Sequence, residues 1–154
     1  MFKADEESKG DVDQLSRDVK TSLNESLMHL AIVHYVEKQD DRYLKSLLSV
    51  GFPLYEEDQN GDLPFFALAL CGSDDEFVHA LDLLVKAGLN LNYTASEGKD
   101  LLEFLSEFNI SVVKVKFMNK HGLRSVNKAS AIKNIDGNGE LSETDKADIK
   151  KILN

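Results

Sequence analysis

The segment Leu83-Leu84-Val85-Lys86-Ala87-Gly88-Leu89-Asn90-Leu91-Asn92 ends an apolar run of helical spacing at a glycine and continues into a short Leu/Asn stretch. An earlier segment has the same pattern at a shift of 37 residues. Its matching residues are Leu44, Leu47, Leu48, Gly51 and Leu54, which correspond to Leu81, Leu84, Val85, Gly88 and Leu91. A fixed period of this length is typical of stacked repeats. The pattern therefore predicts an all-α solenoid with an extended binding surface.

Each unit is predicted to contain two helices. The first helices are expected over residues 27–36 and 64–70, and the second over 41–49 and 76–86, where apolar residues recur at i, i+3 and i+4. Gly51 and Gly88 then provide left-handed helix ends. Short extended pieces are expected at 52–55 and 89–92, each followed by a polar turn.

A third copy of the pattern is shorter. Residues 97–105 lie 37 residues after 60–68, and a second helix predicted over Val112–Lys120 reaches Gly122, which lies 34 residues after Gly88. The sequence therefore predicts three units, with the third about three residues shorter in the loop between its helices. Their predicted bounds are 23–59, 60–96 and 97–123.

The two ends are predicted to cap the stack, because terminal repeats need a polar outer face. Residues 1–22 are polar and contain one short amphipathic pattern, so a frayed segment with a capping helix is expected there. Residues 124–154 are expected to form a C-terminal cap, with a Gly/Asn-rich loop and a helix.

Composition excludes several classes of function. No apolar run approaches the roughly 18 residues of a membrane span, and the acidic start shows no secretory signal, so a cytoplasmic location is expected. Cys71 is the single cysteine, which fits a reducing compartment. No His or Asp lies at the spacing of a catalytic motif that would activate Cys71 as a nucleophile. The sequence therefore predicts a protein that is not an enzyme.

The formal net charge of −9 argues against nucleic acid as a ligand, since phosphate binding needs a cationic surface. Residues 111–133 nevertheless hold six basic residues and no acidic one, so the rest of the chain carries −15. The acidic part is either a solvated surface or a face that attracts a basic protein.

These segments resemble the ankyrin repeat over residues 24–123. The opening 60–66 matches the family's Asn-Gly turn and the Pro of its Thr-Pro-Leu-His tetrapeptide, with Leu63 and Phe66 in place of the Thr and His. The segment 83–92 matches the family's leucine-rich helix, Ala-Gly and Asn-containing ending. His29 stands at the tetrapeptide's histidine position, where the family implies a structural role as a hydrogen-bonded side chain. Two units exceed the family's usual 33 residues, and the excess is expected in charged, projecting loops at 37–42 and 72–75.

The resemblance implies that partners bind at the hairpin tips and the concave first-helix face. The residues expected to bind the partner are Tyr55, Glu56, Glu57, Asp58, Gln59, Asp62, Tyr93 and Glu97. The predicted function is a non-enzymatic protein–protein interaction module, in one form an inhibitor or immunity-type protein that covers a basic partner. A scaffold or effector protein is the alternative of the same class.

The C-terminal segment 134–145 resembles a calcium loop of the EF-hand or dockerin type. Side-chain oxygens fall at the ligand places and Gly139 falls at the turn. The candidate calcium ligands are Asn134, Asp136, Asn138 and Asp145. A calcium-responsive binding module that uses this loop is thus the alternative function of a different class. The alternative is a Gly/Asn turn before a capping helix, with Ser142 or Thr144 as its N-cap.

Overall fold

The computed structural model describes residues 26–154, and the capping helix predicted within residues 1–22 lies outside this part. The regular elements of residues 26–154 are all helical, which confirms the all-α prediction. They are α1 (Leu27–Lys38), α2 (Arg42–Ser49), a 3-10 helix (Pro64–Leu70), α3 (Asp74–Lys86), α4 (Leu101–Phe108), α5 (Val112–Lys120), α6 (Lys128–Asp136) and α7 (Glu143–Leu153). No helix in this part is long and apolar enough to cross a membrane.

The eight helices follow one another as four pairs. We call α1, the 3-10 helix, α4 and α6 the first helices, and α2, α3, α5 and α7 the second helices. The first helices pack against one another in chain order, α1 on the 3-10 helix, the 3-10 helix on α4, and α4 on α6. Among the second helices, α3 packs on α5 and α5 on α7.

The backbone repeats itself at the shifts found in the sequence. Gly51, Gly88 and Gly122 follow successive second helices with φ of 71°, 102° and 90°, as a left-handed helix end requires. The residue after each glycine donates its N–H to a carbonyl five residues earlier. These bonds run from Phe52 to Leu47, from Leu89 to Leu84 and from Leu123 to Met118.

The extended piece predicted at 89–92 is wrong, because residues 90–93 form a turn closed by the hydrogen bond from the Tyr93 N–H to the Asn90 carbonyl. The piece at 52–55 forms no strand, and its extended backbone stays a prediction. The N–H groups of Phe52 and Leu89 bond to the preceding helix, so they are not available to a sheet. The polar turns do repeat. Residues 58–62 and 95–99 have the same pair of backbone hydrogen bonds, closed around Gly61 and Gly98.

The projecting loops predicted at 37–42 and 72–75 are also wrong. The connections within the first three pairs are 39–41, 71–73 and 109–111, all three residues long. The extra residues lengthen helices instead, since α1 has 12 residues and α3 has 13, whereas α4 and α5 have 8 and 9. The third pair is therefore shorter in its helices and not in its loop.

The segment predicted as a cap contains two helices, α6 and α7. The sequence did not indicate α6, because only Ala131 and Ile135 are buried on it and its N-cap, Asn127, makes no side-chain capping bond. Ser142 caps α7, as its Oγ accepts a hydrogen bond from the Asp145 N–H at 3.0 Å.

The core runs continuously between the pairs and is almost entirely apolar. Leu63 and Phe66, at the N-terminal end of the 3-10 helix, are fully buried. The ankyrin pattern has Thr and His at these two positions. The predicted helix at 64–70 is a 3-10 helix whose first six residues are all buried. It has no polar face, and it lies between α1 and α4.

Candidate functional site

The predicted tyrosines join two successive turns. The rings of Tyr55 and Tyr93 stack with centroids 4.0 Å apart, and the Tyr55 hydroxyl accepts a hydrogen bond from the Asn90 N–H at 2.8 Å. Tyr93 keeps a large exposed fraction. These residues therefore hold neighbouring repeats together, and only part of their surface can meet a partner.

Two of the predicted carboxylates are used by the turns themselves. Glu57 Oε1 accepts hydrogen bonds from the Ser96 N–H at 3.1 Å and the Ser96 hydroxyl at 2.7 Å. Asp58 Oδ1 accepts from the N–H groups of Asn60 and Asp62, at 2.8 and 3.0 Å. The remaining predicted residues of the acidic turns lie at the surface, Glu56 partly exposed and Gln59 and Glu97 exposed.

Asp62 differs from its neighbours because its carboxylate accepts no hydrogen bond from residues 26–154. Burial raises the pKa of Asp62 above its usual value, and the charge of Asp58 raises it further. Neither Asp58 nor Asp62 forms an ion pair with a residue in the described part of the chain. The two carboxylates are thus a local concentration of negative charge.

Asp58 and Asp62 border a cavity of about 300 Å³ on the face formed by the first helices. We call this cavity the first-helix groove. Its apolar lining comes from α1, the 3-10 helix and α4, and includes Val33, Leu63, Phe66, Ala67, Ala69, Leu70, Phe104 and Phe108.

Three phenylalanine rings line the first-helix groove. Phe66 stacks on Phe104 with centroids 5.0 Å apart, and Phe104 contacts Phe108 at 4.7 Å. The column runs from the buried Phe66 to Phe108, which is 64% exposed, and Leu70 beside it is 69% exposed. Large apolar side chains that line one groove and remain exposed are a mark of a binding surface.

The groove continues past Phe108 toward the C-terminal pair. A second cavity of about 550 Å³ also includes Phe108, together with Lys133, Asn134 and residues 137–140. This wall is more polar than the first-helix groove. The face formed by the first helices is therefore acidic beside Asp62, apolar around the phenylalanine rings, and mixed in charge beyond Phe108.

His29 lines the first-helix groove from α1. Its backbone N–H donates to Ser26 Oγ at 3.1 Å, which caps the helix. Its Nδ1 atom is buried and has no hydrogen-bond partner within residues 26–154. The tetrapeptide histidine bond implied by the ankyrin resemblance is thus not made through this atom.

Two of the four candidate calcium ligands, Asp136 and Asn138, use a side-chain oxygen in hydrogen bonds within the protein. Asn134 lies on α6 and donates through Nδ2 to Ser106 Oγ, while Asp136 Oδ1 accepts from Lys150 Nζ at 2.8 Å. Asn138 Oδ1 accepts from the N–H groups of residues 140 and 141, and Asp145 is exposed on α7. No group of three or more His, Cys, Asp or Glu in residues 26–154 is placed to hold a metal ion. Calcium binding remains a prediction, and an ion bound through Asp136 would compete with Lys150 for that carboxylate.

The basic segment 111–133 does not form one uniform patch. Lys114 is buried, and its Nζ donates to the Asn109 carbonyl at 2.9 Å and lies 3.9 Å from Asp74. Desolvation by burial lowers the pKa of Lys114. The charge of Lys114 therefore lies at the junction between the second and third pairs and is not part of a surface patch.

Comparison with known proteins adds a distant relative but no function. An uncharacterized protein of Saccharolobus solfataricus is similar to this chain, with 28% identity over 116 residues, 75% of this chain and 19% of that protein. The chain thus spans about a fifth of the length of this relative. No family profile matches the sequence, and no solved structure matches it.

Proposed function

We propose that the chain is an ankyrin-like solenoid that binds another protein in the first-helix groove and has no catalytic role. The observation that carries this proposal is the exposure of Leu70 and Phe108 in a groove that the carboxylates of Asp58 and Asp62 also line. A groove that is apolar at its centre and charged at its edge has the composition of a protein interface.

The repeat geometry supports the solenoid part of the proposal. Neighbouring units are joined at their turns by side chains that bond to the backbone of the adjacent unit. Asn92 bonds to residues 122 and 124, and Asn127 bonds to the Gly98 carbonyl. Such contacts between successive units are what stabilises a linear stack.

The magnitude of the apolar contribution fits a reversible complex. Full burial of Leu70 and Phe108 contributes about 1.5–3 kcal/mol each, or about 3–6 kcal/mol together. Association costs several kcal/mol in lost freedom, so these two anchors need further contacts along the groove. The acidic surface would add long-range attraction for a basic partner and raise the association rate.

An inhibitor or immunity-type protein is the concrete form of this proposal. The net charge of −9 suits a protein that covers a basic toxin or enzyme. A scaffold or effector role would use the same groove, and identification of the partner separates the two.

Affinity capture with two double variants tests the groove. Leu70→Asp/Phe108→Asp places charge in the first-helix groove, and Val113→Asp/Val126→Asp places the same charge on exposed valines that do not line it. Each purified protein is immobilised, exposed to native cell extract, and its bound proteins are quantified by mass spectrometry. Circular dichroism confirms that each variant is folded.

A partner that is retained by the wild type and the valine variant, but lost by the groove variant, is the expected result. A partner held equally by both variants would place the binding surface elsewhere. A partner lost only from the valine variant would do the same.

A further inference from the structure

The acidic end of the first-helix groove has hydrogen-bonding capacity that the described residues leave unused. Asp58 Oδ1 accepts two backbone N–H groups, whereas Oδ2 accepts none from residues 26–154. Neither carboxylate oxygen of Asp62 accepts a hydrogen bond from that part of the chain. Three carboxylate oxygens of residues that line the groove therefore accept no hydrogen bond within the described part of the chain.

The nearby lysine is already engaged. Lys99 acts on Asp62 only from a distance, because its Nζ pairs with Glu107 at 2.9 Å. His29 also faces the groove, but it makes no ion pair with Asp58 or Asp62. The negative charge is consequently not neutralised by a contact within residues 26–154.

The free protein bears a cost for this arrangement. Two partly buried carboxylates lie close together, and the pKa of Asp62 is raised by burial first and by Asp58 second. An incoming cation would lower the energy of the ionised pair. Binding energy is thus available from carboxylate oxygens that accept no hydrogen bond within residues 26–154.

We propose that the groove binds a segment of the partner in which an arginine or lysine pairs with Asp58 and Asp62 while an adjacent apolar side chain packs on Leu70, Phe104 and Phe108. This assignment rests on the proposed function and specifies the chemistry of the partner. Arginine suits the site better than lysine, because its planar guanidinium donates two parallel hydrogen bonds to carboxylate oxygens.

A peptide selection tests this pairing with defined probes. The wild-type protein is the bait for a phage-displayed library of random linear peptides, with Leu70→Asp/Phe108→Asp as the counter-selection. Enriched peptides are synthesised with a fluorescent label, and their affinities are measured by fluorescence anisotropy. The variants are Asp62→Asn and the matched control Asp148→Asn, which removes an exposed carboxylate from α7.

The enriched peptides are expected to carry an arginine or lysine next to an aliphatic or aromatic residue. Asp62→Asn should weaken their binding about tenfold, the effect of losing one charge-assisted hydrogen-bonded pair, while Asp148→Asn leaves it unchanged. Replacing the peptide arginine by citrulline should cost the same factor, and the two changes together should cost less than their product.

The outcomes separate this inference from the proposed function. Peptides that require Leu70 and Phe108 but bind Asp62→Asn as tightly as wild type overturn the cation pairing and leave the groove intact. Peptides that bind the groove variant as well as wild type, or a selection that yields no groove-dependent peptide, overturn both.

Discussion

Asn92→Ala is expected to weaken the stack at one identifiable junction. The Asn92 side chain donates to the Gly122 carbonyl at 2.9 Å and accepts from the Arg124 N–H at 2.7 Å, so it ties the second unit to the third. A hydrogen bond contributes about 0.5–1.5 kcal/mol net. Residues 122 and 124 are exposed, so water can replace the lost partner and the lower half of that range applies. The two bonds together give about 1–2 kcal/mol, a shift of about 2–8 °C in Tm.

Urea denaturation followed by far-ultraviolet circular dichroism measures this change. Asn60→Ala is the matched control, because Asn60 lies in the preceding turn and, within residues 26–154, bonds through its backbone N–H and not its side chain. The control should stay within about 0.5 kcal/mol of wild type. If the free energy of unfolding of Asn92→Ala matched that of Asn60→Ala, the described contact between the second and third units would be refuted.

Four further changes test other parts of the structure. Gly88→Ala should cost about 1–2 kcal/mol in an unfolding titration, because φ is 102° and no atom lies near the added Cβ; an unchanged midpoint would contradict this backbone conformation. Tyr35→Phe should lower the free energy of unfolding by about 1 kcal/mol in the same titration, since the Tyr35 hydroxyl donates to the Glu76 carbonyl at 3.0 Å and joins the first two pairs. An unchanged free energy of unfolding would contradict a contribution from that bond. Cys71 is 4% exposed, and burial raises its pKa to about 11, so alkylation by iodoacetamide should be far slower in the folded protein than in urea. Equal rates of alkylation would show that the thiol is accessible in the folded protein. Asp62→Asn should be at least as stable as wild type near neutral pH, with the difference shrinking as pH falls below 3.8, and a variant less stable at neutral pH would contradict the raised pKa.

The sign of the Asp62 effect follows from proton linkage. Its pKa is higher in the folded protein than the usual value of 3.8, so the folded state holds the proton more tightly than the unfolded chain does. Ionised Asp62 therefore lowers stability above the folded pKa, and this loss disappears as pH falls below 3.8. A carboxylate that destabilises the free protein is what the proposed cation pairing would use.

The sequence predicted the helices best where the apolar period was strong and a glycine ended the run. α5 begins and ends where the repeat shift placed it, although its Val-rich start could be misread as a strand. The glycine that ends each of these runs does so for a local reason, since a residue with positive φ is needed there. Local requirements of this kind are visible in one sequence.

Features that depend on packing between units were not predictable in the same way. The extra residues of the longer units extend α1 and α3, because a helix can lengthen whenever its added face finds a neighbour. The sequence pattern registers the extra residues but not whether they are helical. α6 was missed for a related reason, as two buried residues give too weak a period to recognise.

The candidate site was predicted in part. The sequence indicated the acidic turn and the first-helix face as the binding surface. Glu57 and Asp58, however, accept hydrogen bonds within the turns. Among the turn carboxylates that line the groove, only Asp62 accepts no side-chain hydrogen bond from the described residues. Leu70 and Phe108 were not singled out, because an apolar residue at a helix end is normally buried. Their exposure is a consequence of how the 3-10 helix and α4 pack.

Photo-crosslinking tests the central claim most directly. Benzoylphenylalanine is incorporated at position 70, at position 108, or at the control position 126, where Val126 is 82% exposed outside the groove. Each protein is irradiated in native cell extract, and the crosslinked products are identified by mass spectrometry. The account predicts one common partner crosslinked from 70 and 108 but not from 126. A partner crosslinked from 126 alone would contradict the groove as the binding site.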